Sequence, residues 1–546
     1  MSYFSMGTGT HRVPFSMHRR LREKLAARLR EKLKIEPTSG KRNTLLLMKG
    51  GGELSLYDSD TTWDFRQEAN FQYLFGCKEP GLLGGLDIGS GQGYLFVPKL
   101  DEVYATWLGP IRGVSWFAKY YEIGEQNVFY LGSDELKSFL GSFEEFVTPL
   151  GVNLDSGLPS ASAVGAMGTS GSGGSGETSS SEAGALASLS DLQLGDEAAK
   201  VLQKMGAPER NAEVWHSINE CRSVKDDEEV KVIEFACRVS SLAHLEVMKK
   251  VVSAASSSSS AYEYHSEAEF RYQSFLRGCA RVGYSCICPS GERAAVLHYG
   301  HSAEPNMEAV ISGQMKLHDM GAEYHCYSAD VTCSFPVSGK FSENQKTLYE
   351  AVWTAVETVE RKLKEGVRYG DMHRLAQRTL LEQLRGFIFK ADADIDAMLA
   401  ANLVGKFMPH GLGHMLGLAV HDVGGYVPGE SRATYPAIKE NLRLNRVLQK
   451  NFVLTVEPGF YFIPHCIKAV FEDPELSKFM LKTQAELLEL AQEVGGIRIE
   501  DDVVITAEGC RVLNNVPRTV ADIEGVMQGK FDWDMEIMCP REYKAA

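Results

Sequence analysis

The chain has 546 residues, several times the length of a typical domain, so two domains are the starting expectation. Apolar residues make up 44% and charged residues 24%, the balance of a soluble globular protein rather than a disordered chain; no run approaches the ~18 apolar residues of a membrane span. The formal charge of -15 argues against nucleic acid as the main partner, because phosphate binding needs a positive field.

From the N-terminus, His11 to Lys34 is basic, and Leu21, Leu25, Leu29 and Leu33 form a helical stripe at spacing four. An organelle transit peptide is one reading, but Glu23 and Glu31 interrupt the basic face and favour an amphipathic helix of the first domain. Short apolar runs follow at Thr44 to Met48, Gly93 to Val97 and Val128 to Leu131, with a helical pattern near Asp134 to Phe146. This alternation predicts an α/β N-terminal domain over 1–157. Between Ala161 and Ser190, 22 of thirty residues are Ser, Gly or Ala, too little apolar surface to offset ordering entropy. We read 158–195 as a disordered insertion and 196–225 as the end of the first domain with its linker. A second serine run, Ser256 to Ser260, reads as an enlarged loop between two helices.

An α+β domain is expected over 226–530, followed by a tail over 531–546. Met315 to Val337 alternates like a strand pair with a turn near Gly321 to Glu323. Ser342 and Gln345 form a capping box, and Leu348, Val352, Ala355, Val359 and Leu363 form an apolar stripe that ends at Gly366. Asp371 is the expected cap of the next helix. The eleven cysteines are odd in number with no CxxC pair, which fits reduced, mostly buried thiols in a cytoplasmic protein.

Eight of the fourteen histidines lie between His298 and His421. Asp319 and Asp330 share the strand pair, where a hairpin would set their carboxylates side by side; such neighbours repel unless protonated or bridged by a cation. Two solvent-facing hairpin acids is the simpler reading of that pair alone. His410 and His414 sit in a glycine-rich run, as does His421 before Gly424 and Gly425. Glu457 interrupts a β-branched run, and Glu500 follows Gly496-Ile497-Arg498-Ile499. A glutamate inside a buried strand is costly unless paired. Two Asp, two Glu and one His make a hard donor set suited to Mn²⁺, Co²⁺ or Zn²⁺ in a two-metal hydrolytic centre.

In order, Asp319…Asp330, His410-x-x-x-His414, Glu457-Pro458-Gly459 and Arg498-x-Glu500 resemble the pita-bread metallopeptidases. Within them the chain looks most like the eukaryotic prolidase (Xaa-Pro dipeptidase) family, close to aminopeptidase P. The likeness extends to Val13-Pro14, Phe65-Arg66-Gln67-Glu68, Asn153-x-Asp155-Ser156-Gly157, Leu297-His298-Tyr299-Gly300-His301 and His421-Asp422-Val423-Gly424-Gly425-Tyr426. It implies a pita-bread catalytic domain behind an aminopeptidase P-like domain, and a basic N-terminal helix that belongs to the latter. It also implies two divalent ions, Mn²⁺ first, with Asp319 on one, Asp330 and Glu500 bridging, and His414 with Glu457 on the other. Glu457 would act as general base and His421 as a catalytic partner. His298, His410, His421 and Arg498 would contact substrate, and Arg432 would bind its terminal carboxylate. A homodimer acting on small Xaa-Pro peptides is expected, with no nucleic-acid or membrane partner. Removal of the first residue from longer Xaa-Pro peptides is the alternative, and a metal-free binding role the third. His318 stands where the family has an apolar residue, and strand alternation points it away from the metals. The Ser/Gly/Ala insertion also departs from the family pattern.

Overall fold

The computed structural model describes residues 2–37, 43–164, 190–195, 197–255, 261–300, 305–432, 442–530 and 541–544. The chain divides into two compact units, Met1–Ser5 with Arg12–Arg222, and Met6–His11 with Ser223–Ala546. No helix among the described residues is long and apolar enough to cross a membrane.

In the first unit the leucine stripe is buried along the helix Phe15–Leu33, which ends at a left-handed Lys34 whose N–H bonds the Arg30 carbonyl. A mixed five-stranded sheet runs in the order Val128–Tyr130, Gly93–Val97, Leu83–Asp87, Thr44–Lys49, Glu145–Val147. The helix expected to reach Phe146 is Asp134–Gly141 only. Gly141 and Ser142 are poor helix formers, and Phe146-Val147 gains more as an edge strand parallel to Leu45-Leu46. The segment read as a disordered insertion is packed at both ends. Lys49 donates its N–H to the Ser162 carbonyl, Val164 donates to Thr148 Oγ1, and Val164, Leu192 and Leu194 lie in the core. These few apolar residues are what the small-residue composition concealed. Residues 165–189 lie outside those described, as does the serine run at 256–260.

The second unit holds the larger core, built on long helices that cover short antiparallel ladders. Glu343–Glu360 starts from the expected capping box, and Leu348, Val352, Ala355, Val359 and Leu363 are all buried. The next helix, Tyr369–Leu384, begins at Arg368 without a side-chain cap, and Asp371 falls inside its first turn. The acid there complements the helix dipole instead of capping. The expected C-terminal tail also contributes structure: Glu542–Lys544 forms the outer strand of the sheet Val453–Val456, Asp501–Ile505, Gly509–Val512, Glu542–Lys544. An unpaired edge on Gly509–Val512 is what its backbone covers.

Candidate metal centre

Two interrupted ladders create the site. In the first, Met315–Asp319 pairs with Thr332–Pro336, and Ala322–Tyr324 with Tyr327–Ser328, all in one register. The turn is at His325-Cys326, both at positive φ, and not at Gly321 to Glu323. A two-residue turn matches the twist of the flanking strands better than the longer loop that sequence alternation suggested. Asp319 therefore faces Thr332, with Asp330 diagonal to it, and repulsion from Asp319 adds to burial in raising the Asp330 carboxyl. Gly321 is required at this point, since a Cβ there would collide with the Ala329 carbonyl.

The second ladder repeats the device. Val453–Val456 pairs with Asp501–Ile505, and Gly459–Tyr461 pairs with Gly496–Arg498, again in one register. Pro458 lies between the two segments and has no N–H to donate, so pairing breaks there. The break leaves Glu457 and Glu500 opposite one another, with side chains turned into a cavity instead of committed to a sheet face. His414 comes from the glycine-rich run. Its N–H donates to Thr455 Oγ1 at 3.1 Å, and its Nδ1 lies 3.0 Å from the Met415 carbonyl. That contact assigns the proton to Nδ1 and leaves the Nε2 lone pair 3.4 Å from Asp330 Oδ2 and 3.5 Å from Glu457 Oε1. Such closeness needs Gly413, where a Cβ would strike the Thr455 carbonyl.

A cavity of about 290 Å³ is lined by Asp319, Asp330, His414, Glu457, Glu500, His298, His410, His421 and Arg498. Of the residues expected from sequence, Arg432 alone is missing from its wall. Besides Arg498, the cavity is lined by Arg443, and Arg443 and Tyr284 are wall residues that sequence reasoning passed over. A connected network braces the wall. Arg498 donates from Nη2 to Asp319 Oδ2 at 2.5 Å, from Nη1 to the Tyr461 hydroxyl at 2.8 Å and from Nε to Thr332 Oγ1 at 3.2 Å. The Thr332 hydroxyl donates to Glu500 Oε2 at 2.7 Å, and the Tyr461 hydroxyl lies 3.0 Å from His410 Nε2. Tyr461 could have been found from strand alternation, since it stands on the same side as Glu457 two steps before it. Arg443 gives no comparable signal in sequence. His318 points into the core against Phe335, as expected, and neither ring nitrogen has a hydrogen-bond partner.

Burial first, then mutual repulsion, holds the Asp330 and Glu500 carboxyls well above the usual carboxylate range, and burial lifts Glu457 to about 7. Burial first, then His414, lowers His421 to about 2; burial and Arg498 lower His410 to about 3. Donor atoms of Asp330, His414 and Glu500 lie within 4.8 Å of one another, and Asp319 Oδ1 and Asp330 Oδ1 are buried with no hydrogen-bond partner. Crowded acids, orphaned oxygens and a neutral imidazole lone pair are the chemistry of a divalent cation site, and the residues present fit one.

A buried oxygen-rich donor set at the ends of two broken ladders defines a metallohydrolase centre. The chain belongs to metallopeptidase family M24, which it matches over residues 231–507, and residues 18–144 match the aminopeptidase P N-terminal domain. It is a pita-bread metallopeptidase with an α/β N-terminal domain. The mouse Xaa-Pro dipeptidase is 40% identical over 529 residues, 96% of each chain. A probable Xaa-Pro aminopeptidase of Verticillium alfalfae is 31% identical, covering 88% of this chain and 92% of its own. Among solved structures, Pseudomonas aeruginosa aminopeptidase PepP superposes with a TM-score of 0.69 at 27% identity, covering 95% of this chain and 98% of that one.

Proposed function

We propose that the chain hydrolyses Xaa-Pro dipeptides and releases C-terminal proline. The observation that supports this most is the meeting of all five expected ligands on one small buried cavity, in a chain 40% identical to an Xaa-Pro dipeptidase along 96% of its length. At about 290 Å³ the cavity is at the small end for ligand sites, which suits a dipeptide better than a longer peptide. Removal of the first residue from longer Xaa-Pro peptides is the second reading, favoured by the 31% identical relative.

Asp319 would hold one ion, Asp330 and Glu500 both, and His414 with Glu457 the other, Mn²⁺ being the first choice and Co²⁺ or Zn²⁺ the alternatives. When bound, the ions neutralise the acids, polarise the scissile carbonyl and acidify water. Glu457 takes the proton of the attacking water as general base and returns it to the leaving proline nitrogen. His298 and His421 donate hydrogen bonds to charge that develops on the carbonyl oxygen. His410 and Arg498 hold the substrate wall through Tyr461. The terminal carboxylate is read by a cation next to His421, whose proton affinity both Arg443 and Arg432 lower after burial and His414. A homodimer is supported by exposed Tyr57, Trp63, Trp107 and Leu108 in the first unit, and a reducing cytoplasm by the ten described cysteines, which are thiols and mostly buried.

The test compares Gly-Pro with Gly-Pro-Gly on the Mn²⁺-loaded protein. Faster turnover of Gly-Pro is expected; a clear preference for the tripeptide would move the assignment to the aminopeptidase reading.

A further inference from the structure

The C-terminal strand starts beside a buried charge cluster built on Asp501, the residue after the ligand Glu500. From this we infer that Arg541 is a positioning residue for the metal site, an inference that rests on the two-ion reading above. Asp501 follows Glu500, and its side chain is fully buried, as is that of Glu360. Two guanidiniums grip the Asp501 carboxylate. Arg518 Nη2 lies 2.7 Å from Oδ1 and Arg541 Nη2 lies 2.5 Å from Oδ2, while Asn514 Nδ2 donates to Oδ1 at 2.6 Å. Arg541 Nη1 also reaches Glu360 Oε2 at 3.5 Å.

Arg518 ties this cluster to the ligands. Its Nη1 donates to the Thr332 carbonyl at 2.7 Å and its Nη2 to the Glu500 carbonyl. Thr332 sits opposite Asp319, and its hydroxyl holds the Glu500 carboxylate. One arginine thus crosslinks the two interrupted ladders, and its orientation depends on Asp501. Burial lifts the Glu360 carboxyl to about 8, so the ionised partner of Arg541 at neutral pH is Asp501. Without Arg541 the Asp501 carboxylate keeps Arg518 and Asn514 on Oδ1 but loses the contact that fixes Oδ2. Asp501 and Arg518 can then turn together, drawing Arg518 away from the Thr332 and Glu500 carbonyls.

Arg541 is itself held from three sides. Its carbonyl accepts from the Val512 N–H at 2.9 Å, Glu542–Lys544 pairs with Gly509–Val512, and the guanidinium lies 4.9 Å above the Trp353 ring. Arg541 therefore bears on the ligand geometry, although none of the described residues 541–544 lines the cavity.

The test is Mn²⁺ titration of the metal-stripped protein, with melting of the metal-free form measured in parallel. Arg541→Met keeps the apolar stem and removes the charge. Outer-shell partners of a metal ligand typically matter by about 10–100-fold, so the Mn²⁺ Kd should rise by that factor in Arg541→Met and in a chain ending at Lys530. Arg541→Lys, which keeps a cation beside Asp501, should recover most of the loss. If Arg541→Met does not fold, Arg541→Gln takes its place. A Kd raised in the uncharged variant and recovered in Arg541→Lys supports the inference, and a Kd unchanged in both overturns it. A lower melting temperature with unchanged Kd would make Arg541 merely structural and overturns the inference alone. Absence of Mn²⁺ binding by the unaltered chain would overturn the metal reading with it.

Discussion

Arg432 and Arg443 illustrate how far a single residue can be placed from sequence. A dipeptide offers an amine, a tertiary amide and a carboxylate, so telling it from a longer peptide requires a cation at the carboxylate, and arginine's planar fork suits that task. The family resemblance implies this role for Arg432, which follows Gly424, Gly425 and Gly429 in a segment able to bend over the cleft. The structure puts Arg443 in the cavity wall, and both Arg443 and Arg432 lower the proton affinity of His421. A charge-assisted hydrogen bond contributes about 1.5–3 kcal/mol, roughly ten- to a hundred-fold in kcat/KM. Arg443→Ala should therefore lower Gly-Pro hydrolysis by that factor, leave Mn²⁺ content intact and barely affect an amidated substrate. Arg432→Ala should cost less. Equal losses on the acid and the amide would assign Arg443 to the fold or the transition state, and a larger effect at Arg432 would favour the role that the family resemblance implies.

At the scale of elements, the ends of the Ser/Gly/Ala-rich segment separate what is needed from what is dispensable. Ser162 accepts the Lys49 N–H through its carbonyl and the Asn70 amide through its hydroxyl, while Val164 is completely buried. Burying a valine stabilises by about 1.5–3 kcal/mol, and each hydrogen bond adds about 1 kcal/mol. Removing 165–189 should leave melting temperature and Gly-Pro hydrolysis nearly unchanged, since loop closure costs grow only logarithmically with length. Removing 161–190 takes out Val164 and Ser162 and should lower the melting temperature by several degrees (on the order of 2–4 °C per kcal/mol). Melting curves of the two deletions decide the point, and identical curves would show that the flanks do not support the sheet. The same lesson applies to the other elements. Capping boxes and apolar stripes were legible because local geometry alone dictates them, as at Ser342 with Leu348 to Leu363. The His325-Cys326 turn, the Glu145–Val147 strand and the Glu542–Lys544 strand were not. The two strands are decided by partners far away in sequence, which no window of neighbouring residues contains, and the turn by the register of the whole hairpin.

For the whole molecule, the five ligand candidates were legible because each is an acid or histidine in a setting too apolar for an unpaired charge. Their convergence came from the family resemblance, and the breaks at Pro458 and Gly321 that allow it became visible only with strand register. The convergence couples metal, proton and stability. With no cation bound, Asp330, Glu457 and Glu500 are all raised above their unfolded values, Glu457 from 4.5 to about 7. The folded metal-free chain then holds more protons than the unfolded chain, so these acids make stability fall as pH rises from about 4.5 towards 7. Buried histidines act in the opposite sense. His18 and His244, both lowered to about 4 by burial, make stability rise as pH climbs from about 4 to 6.5. Their contribution is present with or without metal and cancels in the difference between the two forms. A divalent ion replaces the protons on the acids, so binding tightens as pH rises and the unfavourable slope disappears from the loaded form. The increase in melting temperature on adding Mn²⁺ should therefore grow steadily from pH 5 to pH 7. Paired melts of chelated and Mn²⁺-loaded protein at pH 5, 6 and 7 measure that increment directly. An increment that stayed constant or shrank would mean the acids do not exchange protons for metal, and the cluster would have to be held by hydrogen bonds alone.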